Sequence, residues 1–217
     1  MLAFIKAGQN SWTYVNPAGT SYGDVIFYKS QLYVVTSFVA IGSLDVYGSD
    51  SNNPSQPPSI KLLTPRKPFR SYCFHAYLVE STQGDLLHIL RYYVPKDGAF
   101  RFYNRQTLGF AVYKWVLNDE DGGSIAHKVE VKSIGDEALF MGDNHSISVL
   151  ASNFPECQPN SIYYADDFLS TSPLLEGDEA NDMGIFDLED RTTTQHYSVK
   201  TNTQRAIWVV PPFNGLC

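Results

Sequence analysis

The segment SIGDEALFMGDNHSISVLASNFPECQPNSIYYADD (Ser133–Asp167), followed by an acidic insert and DMGIFDLED (Asp182–Asp190), decides the fold. Short apolar runs, Ala138–Met141, Ser146–Leu150, Ser161–Ala165 and Gly184–Leu188, are separated by Gly, Asp, Asn and Pro. None extends into a 3.6-residue apolar period, so the segment reads as strands joined by turns.

The same reading spreads outward. Leu2–Ala7 and Ser11–Asn16 are strand-like, and Asp24–Tyr28, Lys29-Ser30 and Gln31–Thr36 have the length and composition of a hairpin. Lys-Ser is nevertheless not a favoured turn pair. Ala40–Val46 and Ser59–Thr64 flank the polar, proline-containing stretch 47–58, which is expected to be a mobile loop. Further on, Cys73–Glu80 and Leu86–Val94 flank the turn Gln83-Gly84-Asp85. Gly109–Val116 alternates cleanly, Lys128–Val131 follows a Gly-rich acidic turn, and Ala206–Val210 is the last expected strand. Ser152–Pro155 is expected to form at most a helical turn. An aromatic share of 14% suits pleated, half-buried surfaces.

Repetition makes the architecture more specific. Asp24-Val-Ile-Phe-Tyr, followed by Ser43-Leu-Asp-Val, is echoed by Asn160-Ser-Ile-Tyr-Tyr, followed by Gly184-Ile-Phe-Asp-Leu. The separation is about three times the ~40–50 residues of a propeller blade. Regularly spaced all-β units favour a propeller over an immunoglobulin sandwich, whose Cys…Trp…Cys spacing is absent. The expected fold is all-β: a partial β-propeller of about three to four four-stranded antiparallel blades, forming one domain over residues 1–217.

Charge is unevenly placed. Residues 1–115 hold 11 Lys and Arg against 6 Asp and Glu, a net of +5, whereas residues 116–217 hold 5 against 17, a net of −12. Nine carboxylates and no Lys or Arg fall within Asp166–Asp190, and residues 166–182 are expected to form a second mobile loop. Such a balance disfavours nucleic acid as a partner, since phosphate binding needs clustered cations. No apolar run approaches the ~20 residues that span a membrane. Three cysteines at wide spacing suggest neither a disulfide framework nor a zinc site, and the expected location is cytoplasmic or nuclear.

The chemistry-bearing residues form no recognisable active site. The motifs of nucleotide-binding loops, serine hydrolases and zinc proteases are absent. His75, His88, His127, His145 and His196 fall in different expected strands or turns. Asp166 and Asp167 are adjacent, which sends their side chains to opposite faces of a strand rather than into a facing acid–base pair. Asp119, Asp121 and Glu130 match three positions of a calcium loop, but Gly123 and Ser124 stand where a ligand and the obligatory Gly belong. Neither a cofactor nor a metal is expected. Arg66, Lys67 and Arg70 are the densest basic cluster and the candidate contact for an acidic partner, or for the acidic insert itself.

Several strings, in order, resemble the plant F-box-associated family with KIB-type β-propeller domains. They are Tyr77-Leu-Val-Glu-Ser81, Gly84-Asp-Leu-Leu87, Phe110-Ala-Val-Tyr-Lys114 and the 133–190 segment, with Asp24–Tyr28 and Gln31–Val35 resembling an earlier blade. The resemblance implies a non-enzymatic protein-interaction module, similar to the substrate-recognition domain of SCF-type ubiquitin ligase receptors. Family members typically begin with a helical F-box that contacts the ligase adaptor. This chain starts inside a blade-like segment, so it is expected to be a truncated member, a short gene product or a cut fragment. Adaptor binding is then expected only where an F-box lies upstream, and the bound partner is expected to be a substrate protein. Two alternatives stay open: a carboxylate-dependent hydrolase on a propeller scaffold, and a degenerate truncated paralogue.

Overall fold

A computed structural model describes residues 2–15, 22–36, 39–44, 58–65, 74–95, 105–118, 124–142, 145–165, 182–194 and 208–209. The fold is all-β, with a single short 3-10 turn among the described residues. Contacts divide the chain into two compact units. Met1–Val94 with Phe110–Lys132 form the first, and Pro95–Gly109 with Ser133–Cys217 the second.

The first unit opens with a two-stranded antiparallel ribbon, β1 (Ala3–Phe4) and β2 (Thr13–Tyr14), paired Ala3↔Tyr14 and Phe4↔Thr13. A four-stranded sheet follows in the order β3 (Tyr22–Tyr28), β4 (Gln31–Thr36), β5 (Ile41–Leu44) and β6 (Lys61–Leu62). The β3–β4 turn is Lys29-Ser30, with φ of 45° and 65°. Two successive left-handed residues are the type I′ geometry whose twist matches the flanking strands. The hairpin expected from the sequence therefore forms, at the cost of placing two non-glycine residues in a disfavoured region.

Alternation along β3 sends Ile26 and Tyr28 inward and leaves Val25 and Phe27 exposed. The inward set, with Tyr33, Val35 and Ile41, shares a core with Ala76, Leu78, Leu86 and Leu90. Those four belong to the next sheet, of β7 (Phe74–Glu80), β8 (Leu86–Pro95), β9 (Arg105–Asn118) and β10 (Ser124–Val131), a meander in chain order. Strand β8 is interior, and from Leu86 to Arg91 every residue is buried, because both of its faces are covered. The β7–β8 turn relies on Gly84 at φ +80° and on the Ser81 hydroxyl, which accepts from the N–H groups of Gln83 (3.2 Å) and Asp85 (3.0 Å). Two bonds tie the sheets together: Asp24 Oδ2 accepts from Leu78 N–H at 2.8 Å, and the Tyr28 hydroxyl donates to the Gly84 carbonyl at 2.7 Å.

In the second unit, β11 (Glu137–Met141), β12 (Ile147–Leu150), β13 (Ser161–Tyr164), β14 (Gly184–Asp187) and β15 (Thr193–Thr194) form a sheet of order β12-β11-β13-β14-β15. Its pairs are antiparallel except β11–β13, which run parallel from Ala138↔Ser161 to Met141↔Tyr164. The chain returns to the start of β11 through a 3-10 turn at Ala151–Asn153, whose Ser152 hydroxyl donates to Asp136 (2.6 Å). Asn160 closes the return: its side-chain oxygen accepts from Ile134 N–H at 2.9 Å, and its own N–H reaches the Glu137 carbonyl at 2.8 Å. The expected repetition therefore holds at the level of sheets but not of pairing. In the first copy of the echoed motif, β3 and β5 are separated by β4, whereas in the second β13 and β14 are direct neighbours.

Trp208 lies against this sheet, edge-on to Phe140 (5.1 Å) and Tyr163 (6.4 Å), and its indole N–H donates to the Met141 carbonyl at 2.8 Å. Burial raises the pKa of the neighbouring Cys157 thiol; a hydrogen bond with Tyr163 opposes the shift and the charge of Asp136 adds to it. Burial also raises the pKa of the Tyr163 phenol, opposed by the bond it accepts from Gln158 N–H.

Candidate interaction surface

The ribbon β1–β2 has two unlike faces, and its register explains why. Phe4 and Val15 turn toward Leu32, Leu44 and Ile60, making a small core on the outer face of the first sheet. Residues of the opposite parity, Ile5, Trp12 and Tyr14, are 44%, 60% and 55% exposed. Beside the ribbon, Val25 and Phe27 pair with Val34 and Leu32 across β3–β4, so they share the sheet face that the ribbon covers only in part. Ile5, Trp12 and Tyr14 are thus exposed on the ribbon, and Val25 and Phe27 on β3. Trp12 and Tyr14 alternate in the sequence, but which of the two parities meets the sheet is set by the packing of Val15.

A second aromatic group lies on the sheet of β7–β10. Tyr113 and Trp115 share one face of β9 and lie near the buried ring of His88 in β8, whose centroid is 6.5 Å from Tyr113 and 5.9 Å from Trp115. Lys128, opposite Trp115 in the ladder, holds its ammonium 4.0 Å from the Tyr113 ring centre. Phe110, on the alternate face, is fully buried. Arg91 is fully buried as well: its guanidinium donates to the Tyr77 hydroxyl (3.2 Å) and lies over the rings of Tyr93 (5.1 Å) and Phe110 (5.8 Å). Both placements are side-chain packing roles. No periodic signal in the sequence marks Arg91 as interior.

Arg66, Lys67 and Arg70 lie outside the described residues, as do residues 47–57 and 166–181 of the two expected loops. Asp182 is the described end of the acidic insert, and it is held: its Oδ2 accepts from both the N–H (2.9 Å) and the hydroxyl (2.7 Å) of Thr107. Among the described residues the histidines do not converge, and His196 lies outside them. His75 stacks on Tyr77 in β7, His88 is interior, and His127 and His145 are exposed. Among the described residues no group of three or more His, Cys, Asp or Glu could hold a metal ion. Ser124 opens β10, and Glu130 sits in a ladder opposite Tyr113, which is incompatible with a calcium loop running from Asp119 to Glu130. No helix among the described residues is long and apolar enough to cross a membrane.

These repeated four- and five-stranded sheets coincide with a family match over residues 1–187 to the KIB1-4 beta-propeller. The chain belongs to the KIB1-4 β-propeller family. Similar curated proteins are F-box proteins of Arabidopsis thaliana. One is 32% identical over 167 residues, covering 74% of this chain and 45% of its own length. Another is 30% identical over 178 residues, covering 80% of this chain and 41% of its own. F-box protein SKIP23 is 25% identical over 200 residues, covering 86% of this chain and 44% of its own. The chain thus spans about half or less of the length of the curated relatives it matches. No solved structure matches it.

Proposed function

We propose that this KIB1-4 β-propeller chain is a non-enzymatic protein-interaction module, the substrate-recognising portion of an SCF-type ubiquitin ligase receptor. The observation that carries the reading is the set of relatives named as F-box proteins, one of which aligns with 74% of the chain at 32% identity. Rigid sheets with connecting loops suit recognition of a protein surface. Arg66, Lys67 and Arg70 are the proposed contact for an acidic substrate protein. Opposed charges would chiefly steer encounter, so binding should weaken as salt rises. Contact with the ligase adaptor is assigned to an F-box upstream of the blades rather than to the blades themselves. The working compartment is the cytoplasm or nucleus, where such ligases act.

The test uses the polypeptide alone and joined to an F-box segment from a relative. Only the joined form should capture the adaptor in a pull-down, and it alone should support ubiquitin transfer to a co-purified substrate. Adaptor capture by the 217-residue polypeptide itself would refute the division of labour. Arg66→Glu, Lys67→Glu and Arg70→Glu together should slow substrate association without changing the melting temperature. Unchanged, salt-insensitive association would remove those residues from the contact.

A further inference from the structure

We infer that Ser133 is a phosphorylation site for an acid-directed serine kinase, and that the added phosphate loosens the 3-10 turn held by Asp136. This goes beyond the receptor reading and does not depend on it.

The hydroxyl is open to an enzyme. Residues 132–136 link β10 to β11 outside any ladder, and Lys132, Ser133, Gly135 and Asp136 are exposed. Exposed loops of this kind are where modifying enzymes reach a folded chain. The Ser133 hydroxyl accepts from Gly135 N–H at 3.2 Å in an exposed contact, and a phosphate oxygen can take over as acceptor.

Charge placement singles out Ser133. An acid-directed kinase reads a carboxylate three residues after the acceptor with basic side chains of its own, through charge-assisted bonds. Among the described residues two exposed hydroxyls have Asp or Glu at that position, Thr82 with Asp85 and Ser133 with Asp136. Asp85 is already paired with the Lys114 ammonium at 2.6 Å, which masks its charge. Asp136 is exposed, and its carboxylate accepts from the neutral N–H (3.2 Å) and hydroxyl (2.6 Å) of Ser152 rather than from a cation. In the transfer the Ser133 oxygen bonds to the γ-phosphorus of ATP and the bond from that phosphorus to the bridging oxygen breaks. ADP leaves, and the hydroxyl proton passes to a carboxylate of the kinase.

The same loop grips the return segment of the second unit. Ile134 N–H donates to the Asn160 side-chain oxygen (2.9 Å), and the Asp136 carbonyl accepts from Ala151 N–H (2.7 Å). The Asp136 carboxylate adds its two bonds from Ser152, inside the 3-10 turn. Asp136 lies in the tight turn that directly follows Ser133, closed by Glu137 N–H on the Ile134 carbonyl (3.2 Å). A phosphate carries a charge of about −1.5 to −2 and disrupts contacts where it stands beside a carboxylate. On Ser133 it competes for Gly135 N–H and repels the Asp136 carboxylate, so the hold on Ser152 weakens.

The test incubates the purified 217-residue polypeptide with ATP and a purified serine kinase that requires a carboxylate three residues after its acceptor. Mass spectrometry maps the phosphate over time. Ser133 should be modified at least about tenfold faster than Thr82, and Asp136→Asn should slow its modification by a similar factor. Ser133→Ala should leave that peptide unmodified. Should Asp136→Asn fail to fold, the ratio of Ser133 to Thr82 modification in the unaltered chain decides recognition. Hydrogen exchange then compares the phosphorylated and unmodified chains. Amides of Ala151 and Ser152 should exchange faster after phosphorylation, while those of Leu86–Arg91 in β8 stay as they were. An unmodified Ser133, equal rates at Ser133 and Thr82, or unchanged exchange at Ala151 and Ser152 would overturn the inference.

Discussion

The carboxylate of Asp24 accepts a hydrogen bond at 2.8 Å from the backbone N–H of Leu78, joining the first strand of one sheet to the edge strand of the next. An edge N–H is a liability until something pairs with it, and here a side chain from the neighbouring sheet supplies the acceptor. Asp24→Ala should cost about 1–3 kcal/mol, because the Leu78 N–H is left in a part-buried site without its acceptor. Asp24→Asn keeps one oxygen and should cost about half as much. Urea denaturation of the three proteins measures the difference.

The Lys29-Ser30 turn should be improvable. Both residues adopt positive φ, where an Asn-Gly pair sits without the same steric penalty. Replacing the pair by Asn-Gly should raise stability by about 1 kcal/mol, read as a higher urea midpoint with an unchanged slope. No gain would mean that the turn carries a compensating contact.

Gly184 and Gly23 should respond oppositely to Ala. A Cβ at Gly184 would lie 2.8 Å from both the Thr194 carbonyl and the Tyr164 hydroxyl oxygen. Gly184→Ala should therefore destabilise by about 1–3 kcal/mol. At Gly23 the nearest atoms, the Ala76 carbonyl oxygen and Val35 Cγ1, are 3.6 Å away, which is ordinary contact. Gly23→Ala should be neutral or slightly stabilising, since Gly is the more entropically costly residue in a strand. Thermal melts of both variants check the contrast.

Trp208 anchors its segment to the second unit by a bond to the Met141 carbonyl and by packing on Phe140 and Tyr163. Trp208→Phe removes the bond and keeps much of the ring, so it should cost about 1 kcal/mol. Trp208→Ala should cost about 2–4 kcal/mol, as the aromatic cluster loses its cap. Equal losses in the two variants would show that packing contributes little.

Cys157 and Tyr163 predict the alkaline limit of the second unit. Both pKa values are raised by burial, so the folded state holds these protons more tightly than the unfolded chain does. That contribution is complete below the unfolded thiol value and is lost as pH rises above about 8.5 and then through the phenol range. The Cys157 peptide should also be alkylated slowly at neutral pH. Asp136→Asn should speed the reaction, because a negative charge that disfavours the thiolate is gone. Mass spectrometry of the peptide after timed iodoacetamide exposure reads both effects.

Strand positions were legible because alternation and turn residues are local properties of a sequence. The expected Asp24–Tyr28, Gln31–Thr36 and Leu86–Val94 lie within the observed strands Tyr22–Tyr28, Gln31–Thr36 and Leu86–Pro95, the first beginning two residues earlier and the last ending one later. Neighbour relations were less legible. Nothing between Met141 and Ser161 states that β13 will lie parallel to β11, since that pairing depends on how Asp136, Ser152 and Asn160 fold the return segment. The aromatic face on the ribbon was half legible. Alternation places Trp12 with Tyr14, but which parity is buried is decided by Leu32, Leu44 and Ile60, which lie far along the chain.

Strands β13 and β14 are direct antiparallel neighbours, although Tyr164 and Gly184 are separated by the acidic insert. The entropy of closing a connection grows only logarithmically, so doubling its length costs about 0.6 kcal/mol. At the distal end Asp182, two residues before β14, is clasped by Thr107, so the start of β14 is held by contacts of its own. That makes this junction a natural cargo position. A peptide tag or a small folded domain grafted beyond Ala165, whose buried N–H donates to the Met141 carbonyl, and before Asp182 should leave the sheet standing, and relatives would be free to diverge there in length faster than anywhere along the paired strands.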